Sequence, residues 1–274
     1  MEVVIVGRRV FSLVLLITFL WSGIVFGAAK QPDVEAEAAI LMVADTKEIL
    51  FEKNSKGIMY PASTTKIMTL ITALEKGNPN SVVTVSPKAA ACEESRLELN
   101  TGDKLTLNEA MTGMMLVSGN DAAEAIAENV GGSIPKFVDM MNQMADKIGV
   151  ENTHFTNPHG LPDPINHYTT AYDLALITAY GMKMPSFVKI VSTPTYEVKF
   201  LNRGSIYAKN TNKLLKIYPG MNGVKTGYTN DAGECLVASA KRGNVELIAV
   251  ILNSDYRWRD ATKLLDFGFG QLGL

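Results

Sequence analysis

Ser63 and Lys66 carry the types and spacing for acyl-transfer chemistry in the segment Tyr60-Pro61-Ala62-Ser63-Thr64-Thr65-Lys66-Ile67-Met68-Thr69-Leu70. Three residues apart on a helix, they fall on nearly the same side. A hydroxyl at a helix N-terminus meets free N–H groups and the positive end of the dipole. A lysine one turn away can take its proton if burial or another cation lowers the ammonium's pKa. The same four residues also fit a helix cap with a surface lysine. A second group is Ser118-Gly119-Asn120, a hydroxyl and a carboxamide at a break between two helices, where both could project into a cleft. Ser and Asn are equally good helix caps. A third is Lys225-Thr226-Gly227, in a strand before a turn, which as plain structure is an edge strand. It is not a phosphate-binding loop. Gly220 and Gly223 are only two residues apart, and Val224 intervenes before Lys225.

The elements that must hold these groups can be read from periodicity. Apolar residues at Ile67, Leu70, Ile71 and Leu74 predict a helix with one buried face, running to Lys76-Gly77 with Ser63 in its first turn. Ala38–Val43 and Ile49–Glu52, joined by Asp45–Glu48, predict a hairpin. Val82–Val85 reads as extended. Helices are predicted over Leu105–Leu116, Asp121–Val130 (stopped by Gly131-Gly132), Pro135–Ile148, Thr169–Tyr180 and Ser186–Val191. Phe155–His167, with its prolines, is a loop. Strands follow at Tyr196–Leu201, Ser205–Ala208, Val224–Tyr228, Cys235–Lys241 and Val245–Leu252, then a last helix over Tyr256–Phe267. Strands from both ends around a helical middle predict an α+β fold, with an antiparallel sheet assembled from both termini and a helical insertion at about residues 86–192.

Composition narrows the function classes. The 274 residues are 47% hydrophobic and 20% charged, enough for a substantial core. A net charge of -2 gives no electrostatic case for nucleic acid. At the amino terminus, Arg8-Arg9 precede an apolar run from Val10 to Phe26, and Gly27-Ala28-Ala29 follow. Those are the parts of a secretory signal, residues 1–29, cleaved after Gly27 or Ala29. The rival is an uncleaved anchor, since the run approaches a bilayer's span. Export would permit a disulfide, but Cys92 and Cys235 lie in segments of different character and none is expected. His154, His159 and His167 have no metal-ligand spacing, so no metal is assigned.

Ser63-x-x-Lys66, Ser118-x-Asn120 and Lys225-Thr226-Gly227 stand in this order, about fifty and then about a hundred residues apart. As a set they mark penicillin-recognising serine acyl-transferases. With Gly119 where many members have aspartate, the chain resembles the D-alanyl-D-alanine carboxypeptidases of peptidase family S11. Asn157–Asp163, Thr170–Ala175 and Gly223–Thr229 match that family too, and the resemblance covers about residues 36 to 270.

The resemblance implies a β-lactamase/transpeptidase-like fold and a cofactor-free hydrolysis of peptidoglycan stem peptides, with β-lactam antibiotics as acylating inhibitors. Ser63 would attack the penultimate D-alanine carbonyl, Lys66 would be the base, and Ser118 would relay a proton to the departing amine. Asn120 would bind the substrate amide. Lys225 and Thr226 would hold the terminal carboxylate, and Lys225 would help keep Lys66 neutral. The amides of Ser63 and Tyr228, beside Gly227, would form the oxyanion hole. A serine β-lactamase is the nearest alternative, but no glutamate between Ser118 and Lys225 has asparagine four residues later. A non-catalytic peptidoglycan-binding module would not need the base. The final residues, Gly270–Leu274, lead to the expectation of one catalytic domain over 30–274, without a second β domain or terminal membrane helix, in an exported protein.

Overall fold

Five antiparallel strands in the order β2-β1-β9-β8-β7 form the sheet on which the site is built. The computed structural model describes Glu2, residues 31–163 and residues 165–274. The expected signal segment, 1–29, lies outside these apart from Glu2. In chain order come β1 (Ala38–Val43), β2 (Ile49–Lys53), a 3-10 turn (Ala62–Thr65), α1 (Lys66–Lys76), β3 (Val82–Thr84), α2 (Pro87–Ala90), β4 (Lys104–Thr106), α3 (Leu107–Val117) and α4 (Asn120–Gly131). Then follow α5 (Ile134–Ile148), α6 (Ala171–Gly181), α7 (Pro185–Val191), β5 (Thr195–Val198), β6 (Ile206–Lys209), β7 (Met221–Thr229), β8 (Gly233–Arg242), β9 (Val245–Leu252) and α8 (Arg257–Gln271).

β1 pairs antiparallel with β9, Ala38 opposite Leu252 and Val43 opposite Leu247. The two ends of the chain therefore share one sheet, as the order of strands predicts. Side-chain alternation gives that sheet two apolar faces. Ala38, Ile40, Met42, Val237, Ile248 and Val250 face the core shared with the helical body. Ala39, Leu41, Leu236, Ala249 and Ile251 face Ala261, Leu264, Leu265 and Phe269 of α8.

Three local readings are corrected by packing. Ser63 is not in the α-helix but in the 3-10 turn ahead of it, and α1 begins at Lys66 itself. α1 is not buried on one face only: every residue from Lys66 to Ala73 is buried, because neighbours surround it. Leu105 and Thr106 belong to β4, paired with β3. The helix starts at Leu107, where the Thr106 hydroxyl caps it by accepting from the Glu109 N–H. The short α2 and a 3-10 turn over Lys213–Lys216 had no periodic signal.

Candidate active site

The nucleophile turn lies against the edge strand β7. A Cβ at Gly227 would sit 3.1 Å from Ser63 N and 3.1 Å from Ala62 Cβ. Glycine there lets a strand approach a helix N-terminus that closely. Ser63, Ser118, Thr226, Gly227 and Tyr228 line one cleft of about 260 Å3, with Glu94, Ser95, Thr211, Lys213, Arg257 and Trp258. The remaining candidates, Lys66, Asn120 and Lys225, are buried beneath it.

Lys66 is the centre of the arrangement. Its Nζ lies 2.7 Å from Asn120 Oδ1, 2.8 Å from the His159 carbonyl oxygen and 2.9 Å from Ser63 Oγ. Asn120 Nδ2 donates to the Glu93 carbonyl, which fixes Oδ1 as the atom facing the lysine. Oδ1 and the carbonyl can only accept. A neutral amine has two N–H bonds, and these two acceptors take both. Its lone pair is left for the Ser63 hydroxyl, which is the geometry of a general base. Burial, and then the nearby Lys225 cation, hold the Lys66 ammonium well below the usual lysine range. Asn120 was expected to bind the substrate amide. Here Oδ1 faces Lys66 and one Nδ2 hydrogen goes to the Glu93 carbonyl, which orients the lysine and leaves the second Nδ2 hydrogen uncommitted among the described residues.

Lys225 was expected to hold a carboxylate in the cleft. It is buried beside Thr226, donating to the Thr226 carbonyl at 2.9 Å. Burial, and then the Arg257 guanidinium, lower it to about 7, so near neutrality it is about half charged rather than fully charged. The cations and hydroxyls that do line that end of the cleft are Arg257, Lys213, Thr226 and Thr211, the two threonine hydroxyls 2.7 Å apart. Arg257 is fixed by donating to the carbonyls of Gly227 (2.8 Å) and Cys235 (3.2 Å). Sequence reading missed Arg257, Lys213 and Thr211, which stand alone in ordinary polar surroundings. It also missed the role of His159, because a carbonyl contact leaves no side-chain signature.

Ser118 takes φ 64° at the end of α3, the left-handed conformation that turns the chain into α4. Gly119 stands next to it for want of space: a Cβ would meet Asp121 Oδ1 at 2.8 Å and Leu97 N at 3.0 Å. Asp121 spends its carboxylate on the N–H groups of Leu97 (2.8 Å), Leu99 (3.0 Å) and Ala122 (2.7 Å), which holds the 92–100 wall of the cleft. Opposite, His167 ties the 155–167 loop to the nucleophile turn. Its Nδ1 accepts from Thr156 N–H at 3.1 Å, so the proton is on Nε2, which donates to Thr65 Oγ1 at 2.8 Å.

Cys92 and Cys235 are free thiols. The fold does bring Cys92, Glu124 and His159 together, with potential ligand atoms within 4.8 Å of one another. His159 Nδ1 accepts from Leu161 N–H at 3.2 Å, so Nε2 carries the proton and faces Glu124 Oε1 at 3.5 Å as a donor. Burial, then Glu124 and Asp121, push the Cys92 thiol up to about 11. The group does not present a metal with a ready ligand set.

The family profile of D-alanyl-D-alanine carboxypeptidases, peptidase S11, matches residues 26–256. The chain belongs to this family. It is 41% identical over 245 residues to the D-alanyl-D-alanine carboxypeptidase DacF of Bacillus subtilis, covering 86% of this chain and 63% of that one. It is 36% identical over 262 residues to the D-alanyl-D-alanine carboxypeptidase of Streptomyces sp. strain K15, covering 88% and 90%. Among solved structures, a point mutant of the Streptomyces K15 DD-transpeptidase superposes with a TM-score of 0.84 at 34% identity, over 88% of this chain and 100% of the other. The D-alanyl-D-alanine carboxypeptidase of Mycobacterium tuberculosis gives 0.84 at 31%, over 89% and 95%. The chain thus spans 63% of the length of the Bacillus relative, and the penicillin-binding α+β fold is that of the family.

Proposed function

We propose that the protein is a serine-type D-alanyl-D-alanine carboxypeptidase that trims the terminal D-alanine from peptidoglycan stem peptides and is acylated by β-lactams. The observation that carries the reading is the buried Lys66 amine, in no ion pair among the described residues and 2.9 Å from Ser63 Oγ, with Asn120 Oδ1 and the His159 carbonyl as its other two partners. Ser63 Oγ attacks the penultimate carbonyl as Lys66 takes its proton. The tetrahedral oxyanion meets the amides of Ser63 and Tyr228, donors typically worth about 10²–10³ in rate each. Ser118, on the same cleft, passes the proton to the leaving amine. Water, deprotonated by Lys66, then releases the shortened peptide. The substrate carboxylate is held by Arg257, Lys213, Thr226 and Thr211, with Lys225 beneath them keeping Lys66 neutral. No cofactor takes part.

Mass spectrometry after incubation with penicillin tests the reading. Wild type should gain one covalent penicillin, and Ser63→Ala should gain none and release no D-alanine. A wild-type level of label on Ser63→Ala would sink the assignment. We further propose that the protein works outside the cytoplasm after removal of residues 1–29. A mature amino terminus near Ala28 or Lys30 would support this, and a start at Met1 in the membrane fraction would refute it.

A further inference from the structure

Besides Ser63, Lys66 meets two acceptors, and both trace to one helix. Asn120 Oδ1 is 2.7 Å from Nζ, and the His159 carbonyl oxygen is 2.8 Å from it. Asn120 opens α4. Glu124 stands four residues further on, so it lies on the same face one turn along. There its carboxyl group meets the His159 ring. Oε1 is 3.5 Å from Nε2, and the side chains of His159 and Glu124 are only 8% and 12% exposed. Burial lowers the His159 imidazole below its usual pKa, and Glu124 offsets this only in part. The ring is therefore neutral. Its Nδ1 accepts from Leu161 N–H, which leaves Nε2–H as the donor facing Glu124. The other oxygen, Glu124 Oε2, is buried without a hydrogen-bond partner among the described residues. A carboxyl group so placed is costly to a fold.

The His159 carbonyl belongs to the peptide that joins His159 to Gly160, and Gly160 holds φ 92°. A peptide that precedes glycine meets little steric resistance to turning over. Asn157 Oδ1 accepts from Gly160 N–H at 2.7 Å and from His159 N–H at 3.2 Å, bonds that tie the loop to itself. The contact with Glu124 ties His159 to the helix that also carries Asn120. If the carbonyl moves off, one N–H of the neutral amine loses its acceptor. That N–H can then turn onto Ser63 Oγ, where the lone pair has to be.

Resting on the Lys66–Ser63 reading above, we propose that Glu124 is a positioning residue for acylation. Acting through the His159 ring, it holds the His159 carbonyl against Lys66 and so keeps the lone pair of the amine on Ser63.

Stopped-flow acylation by a fluorescent penicillin, at about pH 8 where histidine is neutral, separates two constants. One is the dissociation constant of the first complex, and the other is the first-order acylation constant at saturation. Glu124→Met keeps the length of the side chain and removes the acceptor. It should lower the acylation constant by about five- to tenfold, the worth of one ordinary hydrogen bond, and leave the dissociation constant unchanged. Glu124→Gln keeps an acceptor for Nε2–H and should restore most of the rate. The first-order constant is read only from enzyme that reacts, so a smaller folded fraction does not lower it. A wild-type acylation constant in Glu124→Met, or an equally low one in Glu124→Gln, would overturn the role of Glu124 alone. Wild type that takes up no penicillin would overturn the Lys66 base reading, and the positioning role with it.

Discussion

Replacing Lys225 with methionine removes a buried charge while keeping an unbranched side chain one atom shorter. Lys225 is 1% exposed and its pKa stands at about 7 in the fold against 10.5 for an ordinary lysine. Folding therefore disfavours its proton, by about 5 kcal/mol at any pH below 7. The sign follows from proton uptake. Between about 7 and 10.5 the unfolded chain binds the proton and the fold does not, so wild-type stability rises with pH across that window. Methionine removes this cost and gives up one hydrogen bond to the Thr226 carbonyl, typically worth about 1 kcal/mol. With local relaxation recovering part of the rest, the variant should gain about 2–4 kcal/mol at pH 6. For a chain of this size that corresponds to a rise in Tm of roughly 5–10 °C. Thermal unfolding of both proteins at pH 6 and pH 10 measures it, and the gap should close at the higher pH. The same variant should be acylated slowly by penicillin, because Lys66 loses the cation that helps keep it neutral. A less stable variant at pH 6, or a gap unchanged at pH 10, refutes the reasoning.

Asn120→Asp puts a carboxylate 2.7 Å from Lys66 Nζ, an attraction of about 6 kcal/mol at an effective dielectric near 20. That keeps the lysine protonated, and acylation at pH 7 should fall by about 10² or more, whereas a wild-type rate would contradict the base assignment. Penicillin acylation of wild type should also decline on acidification as Lys66 takes up a proton, and a flat profile from pH 9 to pH 5 would remove Lys66 from that role. Gly160 holds φ 92°, and a Cβ there would overlap the Ala62 carbonyl oxygen. Gly160→Ala should displace the His159 carbonyl from Lys66 and cost both acylation rate and stability, the latter by about 2–4 kcal/mol, measurable by urea unfolding.

Elements with a local signal were legible from sequence. Ala38–Val43 is a strand with the predicted bounds because an unbroken apolar run between Glu37 and Asp45 fits a strand buried on both faces. The α4 stop at Gly131-Gly132 was legible because Gly132 takes φ 74° there. Where neighbours decide, the pattern misled. β4 exists because Leu105 pairs with Val83, a partner far along the chain, although its residues continue the apolar period of α3. α1 reads as amphipathic, yet Lys66, Thr69 and Thr72 between its apolar positions are buried as well; Lys66 and Thr69 meet groups supplied from elsewhere, whereas the Thr72 hydroxyl has no partner among the described residues. Thr69 donates to the Pro158 carbonyl at 2.6 Å, and Thr65 meets His167 at 2.8 Å.

The site shows the same division in its electrostatics. The motif residues could be found by type and order, but what makes Lys66 a base is burial, then the neighbouring Lys225, with no carboxylate in contact to offset them, and that is a property of three dimensions. Asn120 and Asp121 are neighbours at the start of α4, about 100° apart around the helix axis. The neutral one faces Lys66, and the charged one is turned toward Leu97 and Leu99, where three N–H groups occupy its oxygens. Exchanging the two side chains would leave composition and net charge unchanged and would set a carboxylate against the lysine. The order Asn-Asp at that helix start, together with a carbonyl from the 155–167 loop and a second lysine from β7, denies Lys66 a counter-ion. The proton-accepting lone pair at Ser63 follows from that exclusion.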